Sequence, residues 1–490
     1  MRDLVVLLNL DDTACRLTAR RLRAEHICCR ILPKDVEASA ITALENVKGI
    51  LLPGGSKGEA VDIPHLQELL EANLPILAMG DAALTLCQQL GGEVCKPAQD
   101  DVHLVQVYFT RDPLVENVEN GERYFRELRT LSLSEQMSTM ADSSVGALGF
   151  RMTERSVYGL AFQVEQNDTD GMLLLINFCQ QVCGCAPWWS NQSFIDLASD
   201  EIGMAVGEKE AICALSGGVD SAVCALLGHR ALGSRLHCIF IDTGLLRKGE
   251  GDLVEEFFRN QAGLNLVRIN AADSFMEALR GVHSQKEKEQ IIFSKLQVLM
   301  EYIVRQHPDA TVMLQGTNYS DMMERSGEKE QDTPLGLTLV APVRELFKDE
   351  IRSVGKELGL PEVIIRRQPF PGSGLALRIL GEVTQEKLDL LREADDIFRS
   401  AIEESGLSKR LWQYFATISD NPAREDDEPA SYLVTLRAVQ AVDGAAAMPA
   451  RLPNDLQERI SADILATSPH IRRVLYDLTP SHRYAPIDWR

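Results

Sequence analysis

The chain has 490 residues, with 72 acidic residues against 50 lysines and arginines, and a formal net charge of −22. This length allows two to four domains with sizeable cores. The acidic excess argues against nucleic acid as the main partner, because a polyanion repels it. Small anionic substrates stay possible, since one site can be positive on an acidic protein. The apolar runs are too short to span a bilayer, so we expect no membrane partner.

The eleven cysteines and the first apolar run indicate a cytoplasmic protein. Most of the cysteines lie in apolar segments, where we expect reduced core thiols. Acidic residues follow the first apolar run, which is typical of a strand and not of a signal peptide. Cys28–Cys29 and Cys183–Cys185 lack the spacing of a zinc knuckle, so we expect no metal there.

Residues 1–190 are predicted to form one α/β domain. Apolar runs predicted as strands alternate with amphipathic runs predicted as helices, which favours a parallel sheet. The predicted strands are Leu4–Leu10, Gly49–Leu52 and Pro75–Met79, and the predicted helices are Ala14–Arg23, Pro64–Ala72 and one that ends at Leu90-Gly91-Gly92.

This first domain resembles the class I glutamine amidotransferase family in the segments LLPGGS, PILAMGDAALTLCQQLGG and VYGLAFQVE. The resemblance implies a nucleophilic cysteine on a sharp turn, with a histidine and a glutamate that activate it. At these positions the chain has Gly80, Gln163 and Glu165, so only the glutamate is retained. Because glutamine hydrolysis needs a thiolate and a base, we expect a domain that has lost glutaminase activity.

A degenerate domain of this kind can serve as a scaffold, a docking surface or a regulatory module. The alternative is that another residue restores glutaminase activity. Cys87 is a poor substitute, because it is predicted to lie inside the helix about two turns after Gly80.

Residues 187–205 are predicted to be a connector whose two tryptophans pack between domains, and residues 191–380 are predicted to form a second α/β domain. In that domain a predicted strand, Ala211–Leu215, leads through a glycine turn into a predicted helix, Ala222–Leu227. Free N–H groups and the dipole at such a helix start favour an anion. No Gly-Lys-Ser/Thr follows, so the turn is not the common phosphate loop. A plain strand-to-helix connection is the alternative.

The segment SGGVDS resembles the PP-loop of ATP pyrophosphatases, enzymes that cleave ATP between its α- and β-phosphates. The resemblance implies that this loop holds the pyrophosphate end of ATP. The implied ATP-binding residues are Ser216, Gly217, Gly218, Val219, Asp220, Ser221 and Ala222.

Further strands are predicted at Leu236–Ile241, Asn265–Ile269 and Ala310–Gln315. The carboxyl ends of parallel strands border the ligand crevice of such domains. Asp242 and Arg247 follow the first of these strands. They are candidates for the adenine pocket, with ordinary turn and surface roles as the alternative.

Seven segments, in order, resemble the GMP synthetase family: SGGVDS, IDTGLLR, QGTNYSD, PVRELFKDEIR, ELGLP, QPFPGSGLALR and LGEVT. The resemblance continues to Trp489 and covers essentially the whole chain. It implies that ATP adenylates the C2 oxygen of XMP and that ammonia then displaces AMP. It also implies Mg²⁺ as a cofactor, since phosphate-bound magnesium favours one or two carboxylates.

By the same resemblance, Asp220 is a catalytic residue and the magnesium ligand, and Lys348 stabilises charge on the leaving phosphates. A solvated lysine at a helix start is the alternative for Lys348. The implied substrate-binding residues are Arg378, Ile487 and Asp488.

Residues 381–490 are predicted to form a small α+β domain. The predicted helices are Gln385–Ser405 and Leu456–Leu465, and the strands are Leu411–Ile418, Ala430–Val439 and Arg472–Leu478. In the family such a domain forms a dimer, so a homodimer is implied. The predicted fold class is therefore α/β, with two parallel-sheet domains followed by this dimerisation domain.

The chain departs from the family pattern around the expected XMP phosphate. His482 replaces a lysine, for which the adjacent Arg483 is the alternative cation. Glu289 replaces an arginine, and residues 327–334 form a shorter, acidic stretch. Ser373 replaces a proline. Because cations hold a dianionic phosphate, these changes lower the expected affinity for XMP.

The leading hypothesis is thus an ammonia-dependent ligase of the GMP synthetase type. The first alternative is a paralogue that adenylates another acceptor. The second is a non-catalytic, nucleotide-binding regulatory protein, against which the intact PP-loop and Lys348 count.

Overall fold

The computed structural model describes residues 2–96, 103–164, 169–324, 336–422, 429–442 and 446–480. The chain divides into two compact units, Met1–Phe194 and Ile195–Arg490. Within the described ranges, we find no helix whose length and apolar character would let it cross a membrane.

The first unit is built on a nine-stranded mixed sheet in the order β2-β1-β3-β4-β11-β10-β9-β6-β7, with a separate β5–β8 pair. Its strands are β1 Leu4–Asn9, β2 Cys29–Pro33, β3 Val47–Pro53, β4 Ile76–Met79, β5 Glu93–Cys95, β6 Leu104–Phe109, β7 Gly121–Tyr124, β8 Thr130–Ser132, β9 Met137–Ser143, β10 Gly149–Met152 and β11 Val157–Leu160. Its helices are α1 Asp12–Ala24, α2 Ala38–Thr42, α3 Leu66–Glu71, α4 Asp81–Gln89 and α5 Thr169–Asn177.

The parallel half of this sheet confirms the predicted α/β class, and its antiparallel half was not predicted. Strands β2, β1, β3, β4 and β11 run parallel, and their buried apolar residues pack against the helices. Strands β10, β9, β6 and β7 pair antiparallel. Strand β9 reads MSTMADS and alternates irregularly between buried and exposed positions, so its sequence carries no clear strand signal.

The second unit begins with a five-stranded parallel sheet in the order β14-β13-β12-β15-β16. Its strands are β12 Glu210–Ala214, β13 Leu236–Asp242, β14 Leu266–Asn270, β15 Ala310–Leu314 and β16 Thr338–Val340. The order reverses at β12, because β13 and β14 follow on one side and β15 and β16 on the other. Ligands of such sheets bind beyond the carboxyl ends of the strands at this reversal.

Helices flank this sheet, and the last part of the unit adds a four-stranded sheet. The helices are α6 Asn191–Val206, α7 Val219–Leu232, α8 Glu250–Glu255, α9 Ala272–Ala278, α10 Gln285–Gln306, α11 Tyr319–Glu324, α12 Lys348–Glu357, α13 Glu362–Ile365, α14 Gln385–Glu404 and α15 Asn454–Thr467. The last strands are β17 Gln413–Asp420, β18 Tyr432–Val442, β19 Ala446–Pro449 and β20 Ile471–Tyr476. Strand β18 pairs antiparallel with β17 and β19 and parallel with β20.

One hydrophobic cluster joins the two sheets of the second unit. It contains Phe275 of α9 and Ile292 of α10 together with Phe398 of α14 and Ile460 of α15. This shared core explains why residues 195–490 form one compact unit. The predicted boundary between residues 380 and 381 stays a prediction.

The predicted connector is largely helix α6. The tryptophans before it belong to the first unit and contact other parts of it: Trp188 donates from its indole to the Asp3 carbonyl at 2.9 Å. The backbone N–H of Trp189 donates to the carbonyl of His26 at 2.7 Å.

Candidate active site

The loop between β12 and α7 is closed by two serines. The Ser221 hydroxyl donates to the Gly218 carbonyl at 3.0 Å and accepts from the Ser216 N–H at 3.1 Å. The two hydroxyls lie 3.0 Å apart. Ser221 is buried, so it holds the loop in shape, whereas Ser216 and Gly218 line a cavity.

Two glycines let this loop lie at the reversal point of the sheet. Gly217 has φ +75°, a left-handed conformation that favours glycine. Gly316, which follows β15, is so close to the start of α7 that a Cβ there would lie 2.6 Å from the Ser221 nitrogen. The backbones after β12 and β15 therefore meet beside Asp220.

Lys348 and Asp220, which the sequence analysis singled out separately, meet at the start of α7. The Lys348 ammonium bonds Asp220 Oδ2. Asp220 Oδ1 is buried and has no hydrogen-bond partner among the described residues. One carboxylate oxygen thus bonds a cation, while the other has its lone pairs free.

A cavity of about 690 Å³ opens beside this pair at the carboxyl ends of β12, β13 and β15. Its cationic side chains are Lys348 and Arg352, one turn apart on α12, and Arg367. Its apolar lining includes Ile239, Ile241, Phe293, Leu296, Met300 and Phe370. A cation-lined end beside an apolar end suits a polyphosphate attached to a heterocyclic base.

Arg367, which lines the cavity, also contacts the loop between β12 and α7. The sequence analysis did not single out this residue. Its Nε lies 2.5 Å from Glu250 Oε1, and both side chains are mostly buried. Its Nη1 lies 3.4 Å from the Ser216 carbonyl oxygen. The motif RRQPFPG marks this segment, but sequence alone does not tell which of its arginines faces the cavity.

Arg378 is placed differently from its predicted role in substrate contact. It is 1% exposed, lies under Phe370 and Phe415, and pairs with Asp395 at 3.2 Å. Burial lowers the pKa of the Arg378 guanidinium. Because Phe370 lies between it and the cavity, Arg378 supports the wall and does not line it.

Arg247 and Asp242 also lie outside the cavity lining. Arg247 pairs with the same Asp395 at 3.4 Å and stacks on Phe370, with 4.4 Å to the ring centre. Burial lowers the pKa of Arg247 to about 9. Asp242 bonds Arg268 at 2.6 Å. Neither residue lines the cavity, and neither is an exposed surface residue, because Arg247 is buried and Asp242 is partly buried.

Several predicted positions lie outside the described residues. They are Glu165, residues 327–334, His482, Ile487 and Asp488.

In the first unit, the turn at Gly80 has φ +58° and ψ −131°, a conformation that glycine adopts readily and other residues do not. A Cβ at this position would collide with the Gly55 carbonyl oxygen. The same carbonyl accepts the Asp81 N–H at 2.9 Å, and the Gly80 N–H donates to Leu160 at 2.9 Å. The turn therefore leaves no space for the side chain of a nucleophile at position 80, and we call it the closed turn.

Two further residues bear on the expected loss of glutaminase activity, Cys87 and Gln163. Cys87 is fully buried in α4, and burial raises the pKa of its thiol to about 11. The partly buried side chain at the predicted base position is Gln163, an amide that takes up no proton near neutral pH.

The serine–glycine loop, the Asp220–Lys348 pair and the cationic cavity lie at the reversal point of the parallel sheet, where ligands of such sheets bind. Together with the PP-loop sequence, this arrangement fits the class of ATP pyrophosphatases. Family models agree with this class. Residues 196–411 match the model described as NAD synthase, and residues 400–489 match the GMP synthase C terminal domain.

Relatives that match over the full length of the chain agree with this class. The chain is 37% identical to "GMP synthase [glutamine-hydrolyzing]" of Caldicellulosiruptor saccharolyticus and to the protein of that name from Acetivibrio thermocellus, with 99% of each chain covered. It is 35% identical to the protein of that name from Clostridium botulinum, over 100% of this chain and 99% of the relative. The chain belongs to the GMP synthase family, and is thus an ATP-dependent carbon–nitrogen ligase.

Proposed function

We propose that this ligase adenylates XMP with ATP and aminates the adenylate with free ammonia, giving GMP, AMP and pyrophosphate. The observation that carries the proposal is the Lys348–Asp220 pair at the start of α7, facing a cavity with two further cations. Family membership supports the same reaction.

The triphosphate fits the cationic end of the cavity. Gly218, Val219 and Asp220 at the start of α7 line the cavity, and the helix dipole favours negative charge there. Lys348, Arg352 and Arg367 supply side-chain cations. As pyrophosphate leaves, negative charge accumulates on it, and preorganised cations in a partly enclosed site stabilise that charge most.

Asp220 fits the role of magnesium ligand. Its Oδ1 is buried without a hydrogen-bond partner among the described residues, so a lone pair is available for a cation. Magnesium bound to phosphates commonly takes one or two carboxylates and completes its shell with water. A bound magnesium ion would supply charge neutralisation on the phosphates.

Two displacements account for the products. The XMP C2 oxygen attacks the α-phosphorus of ATP, and the bond to the pyrophosphate oxygen breaks. Ammonia then attacks C2, AMP leaves with the former C2 oxygen, and one proton is released. The apolar wall around Phe293 and Phe370 limits water around the adenylate, which would otherwise hydrolyse.

Free ammonia is the proposed nitrogen source because of the closed turn at Gly80. A side chain there meets the Gly55 carbonyl, and the Asp81 N–H already bonds that carbonyl. A glutaminase needs a thiolate on this turn and a donor free to hold the oxyanion.

The second candidate function is the same adenylation of an acceptor other than XMP. It is favoured by an acidic side chain on the face of α10 that lines the cavity. Glu289 lies one turn before Phe293, on the face that continues with Leu296 and Met300 along the cavity. A carboxylate followed by apolar side chains repels a phosphate and suits an uncharged or cationic acceptor.

Pyrophosphate release separates these proposals. Purified protein is assayed with Mg·ATP, ammonium chloride and either XMP or a panel of purine and pyrimidine acceptors that includes xanthosine. Turnover with XMP supports the first proposal, and turnover only with another acceptor supports the second. No pyrophosphate release with any acceptor would contradict both.

A further inference from the structure

A second cluster of ligating side chains lies at the opposite edge of the five-stranded sheet. Glu210 is the first residue of β12, His237 is the second residue of β13, and His307 follows the last turn of α10. All three are partly buried, and they lie at the amino ends of strands whose carboxyl ends form the cavity. The cluster is therefore separate from the ATP site.

Its ligand atoms are close enough for one metal ion to bridge. His237 Nε2 lies 2.8 Å from Glu210 Oε2, and the two imidazole rings have centroids 4.3 Å apart. One ligand atom from each residue lies within 4.8 Å of the others. Tetrahedral zinc with bonds of about 2.0–2.2 Å needs ligand atoms roughly 3.4 Å apart. A small rotation of the side chains is sufficient to reach that spacing.

The backbone under these three residues is fixed by the sheet. Strand β12 pairs with β15, and Glu210 stands opposite Ala310. The Glu210 N–H donates to the Asp309 carbonyl at 3.2 Å, and the Ala310 N–H donates to the His307 carbonyl at 3.1 Å. The turn that carries His307 is thus tied to the strand that carries Glu210.

Asn265 supplies a partner for the second nitrogen of His237. Its side-chain amide lies 3.0 Å from His237 Nδ1. The amide can present either its oxygen or its nitrogen, because a half-turn exchanges them. With the oxygen facing the ring, His237 carries its proton on Nδ1 and offers Nε2 as a metal ligand, which is the usual outer-shell arrangement.

We propose that Glu210, His237 and His307 bind a divalent transition-metal ion of the zinc, cobalt or nickel type. Two imidazoles and one carboxylate favour these ions over magnesium and calcium, which prefer oxygen ligands. Water completes the coordination. The ion would fasten the amino ends of β12 and β13 to the turn before β15, so it stabilises the sheet without entering the cavity.

Metal binding is tested on the full chain after dialysis against a chelator. Zinc is titrated calorimetrically into the wild type, into His307→Gln, which keeps the Glu210–His237 bond, and into His237→Gln. The matched control is His470→Gln, because His470 forms a histidine–glutamate pair with Glu386 at 3.3 Å at another place in the unit. We expect each cluster variant to lose at least about tenfold in zinc affinity and the control to bind like the wild type.

Cobalt(II) identifies the ligands independently of activity. Cobalt bound at this site absorbs in the visible range without the intense charge-transfer band of thiolates, and this spectrum disappears in His307→Gln. Equal zinc affinity of the wild type and both cluster variants, a thiolate-type spectrum, or no zinc binding by the folded wild type would each overturn the proposal.

Discussion

The ammonium group of Lys348 bonds the Oδ2 oxygen of Asp220, although the two residues are 128 positions apart in the chain. The contact brings the start of α12 to the start of α7. In the absence of phosphates, each residue neutralises the other. We expect the lysine to turn to the phosphates and the aspartate to the magnesium ion when Mg·ATP binds.

Lys348→Met tests the role of the lysine. Because a cation that stabilises the leaving group acts mainly in the transition state, we expect kcat for pyrophosphate release to fall by about 100-fold or more. Lys356→Met is the control, since Lys356 is exposed at the other end of the same helix. A rate within twofold of the wild type in both variants would contradict this role.

Gly316→Ala tests the close approach of two backbones at the reversal point. The added Cβ would lie 2.6 Å from the Ser221 nitrogen, so the loop has to shift. We expect a loss of about 1–3 kcal/mol in the free energy of unfolding, measured in urea, and a higher KM for ATP.

The control for that substitution is Gly203→Ala in α6, where an added Cβ meets no atom within 4 Å. We expect this variant to gain roughly 0.5–1 kcal/mol, because alanine favours a helix over glycine. Equal stability changes in the two variants would be inconsistent with a crowded site at Gly316.

The double substitution Gly80→Cys with Gln163→His restores both residue types that a glutaminase needs. We still expect no glutamate release from glutamine, because a side chain at position 80 collides with the Gly55 carbonyl. Glutamate is measured by coupled oxidation, and ammonia-dependent activity serves as the control for folding. Steady glutamate production by this variant would show that the turn can open.

Because Lys288 is buried, we expect the free energy of unfolding to rise with pH in the alkaline range. Lys288 is fully buried, and this burial, followed by the charge of Lys387, lowers its pKa from 10.5 to about 8. Between these pH values the unfolded chain binds more protons, so the free energy of unfolding rises with pH, by roughly 3 kcal/mol at most. Below pH 8 the lysine is charged in both states and contributes no slope.

Urea unfolding at several pH values between 7.5 and about 10.5 measures this dependence. The difference between wild type and Lys288→Met isolates it from other titrating groups. Lys286→Met, at an exposed position of the same helix, is expected to retain the wild-type slope. A wild-type slope in Lys288→Met would contradict the assignment.

The strand, the glycine turn and the helix start within residues 210–232 could be predicted from sequence, because local signals specify them. That this loop holds the phosphates of ATP stays a prediction. Arg367 and Phe293 were missed, because the side of a segment that faces a cavity depends on packing between distant elements. Arg378 shows the converse: sequence gives its charge but not its depth, and it lies beneath the cavity wall.

The fold follows the same pattern. Continuous apolar runs such as Ile76–Met79 are buried on both faces and were predicted as strands. The antiparallel strands β6 to β10 are shorter or partly exposed, and their pairing depends on long-range register. The helix α6 lies in the segment predicted as a connector. Its buried residues follow a helical spacing that the sequence analysis did not use: Phe194, Ile195, Ala198, Ile202 and Val206.

Isotope exchange between pyrophosphate and ATP tests whether this protein transfers the adenylyl group of ATP to an acceptor with the help of Asp220. Labelled pyrophosphate is incubated with Mg·ATP and acceptor in the absence of ammonia, using the wild type and Asp220→Ala. We expect label in ATP that requires the acceptor and disappears in Asp220→Ala. Formation of ADP and phosphate, or exchange that is unchanged in Asp220→Ala, would contradict it.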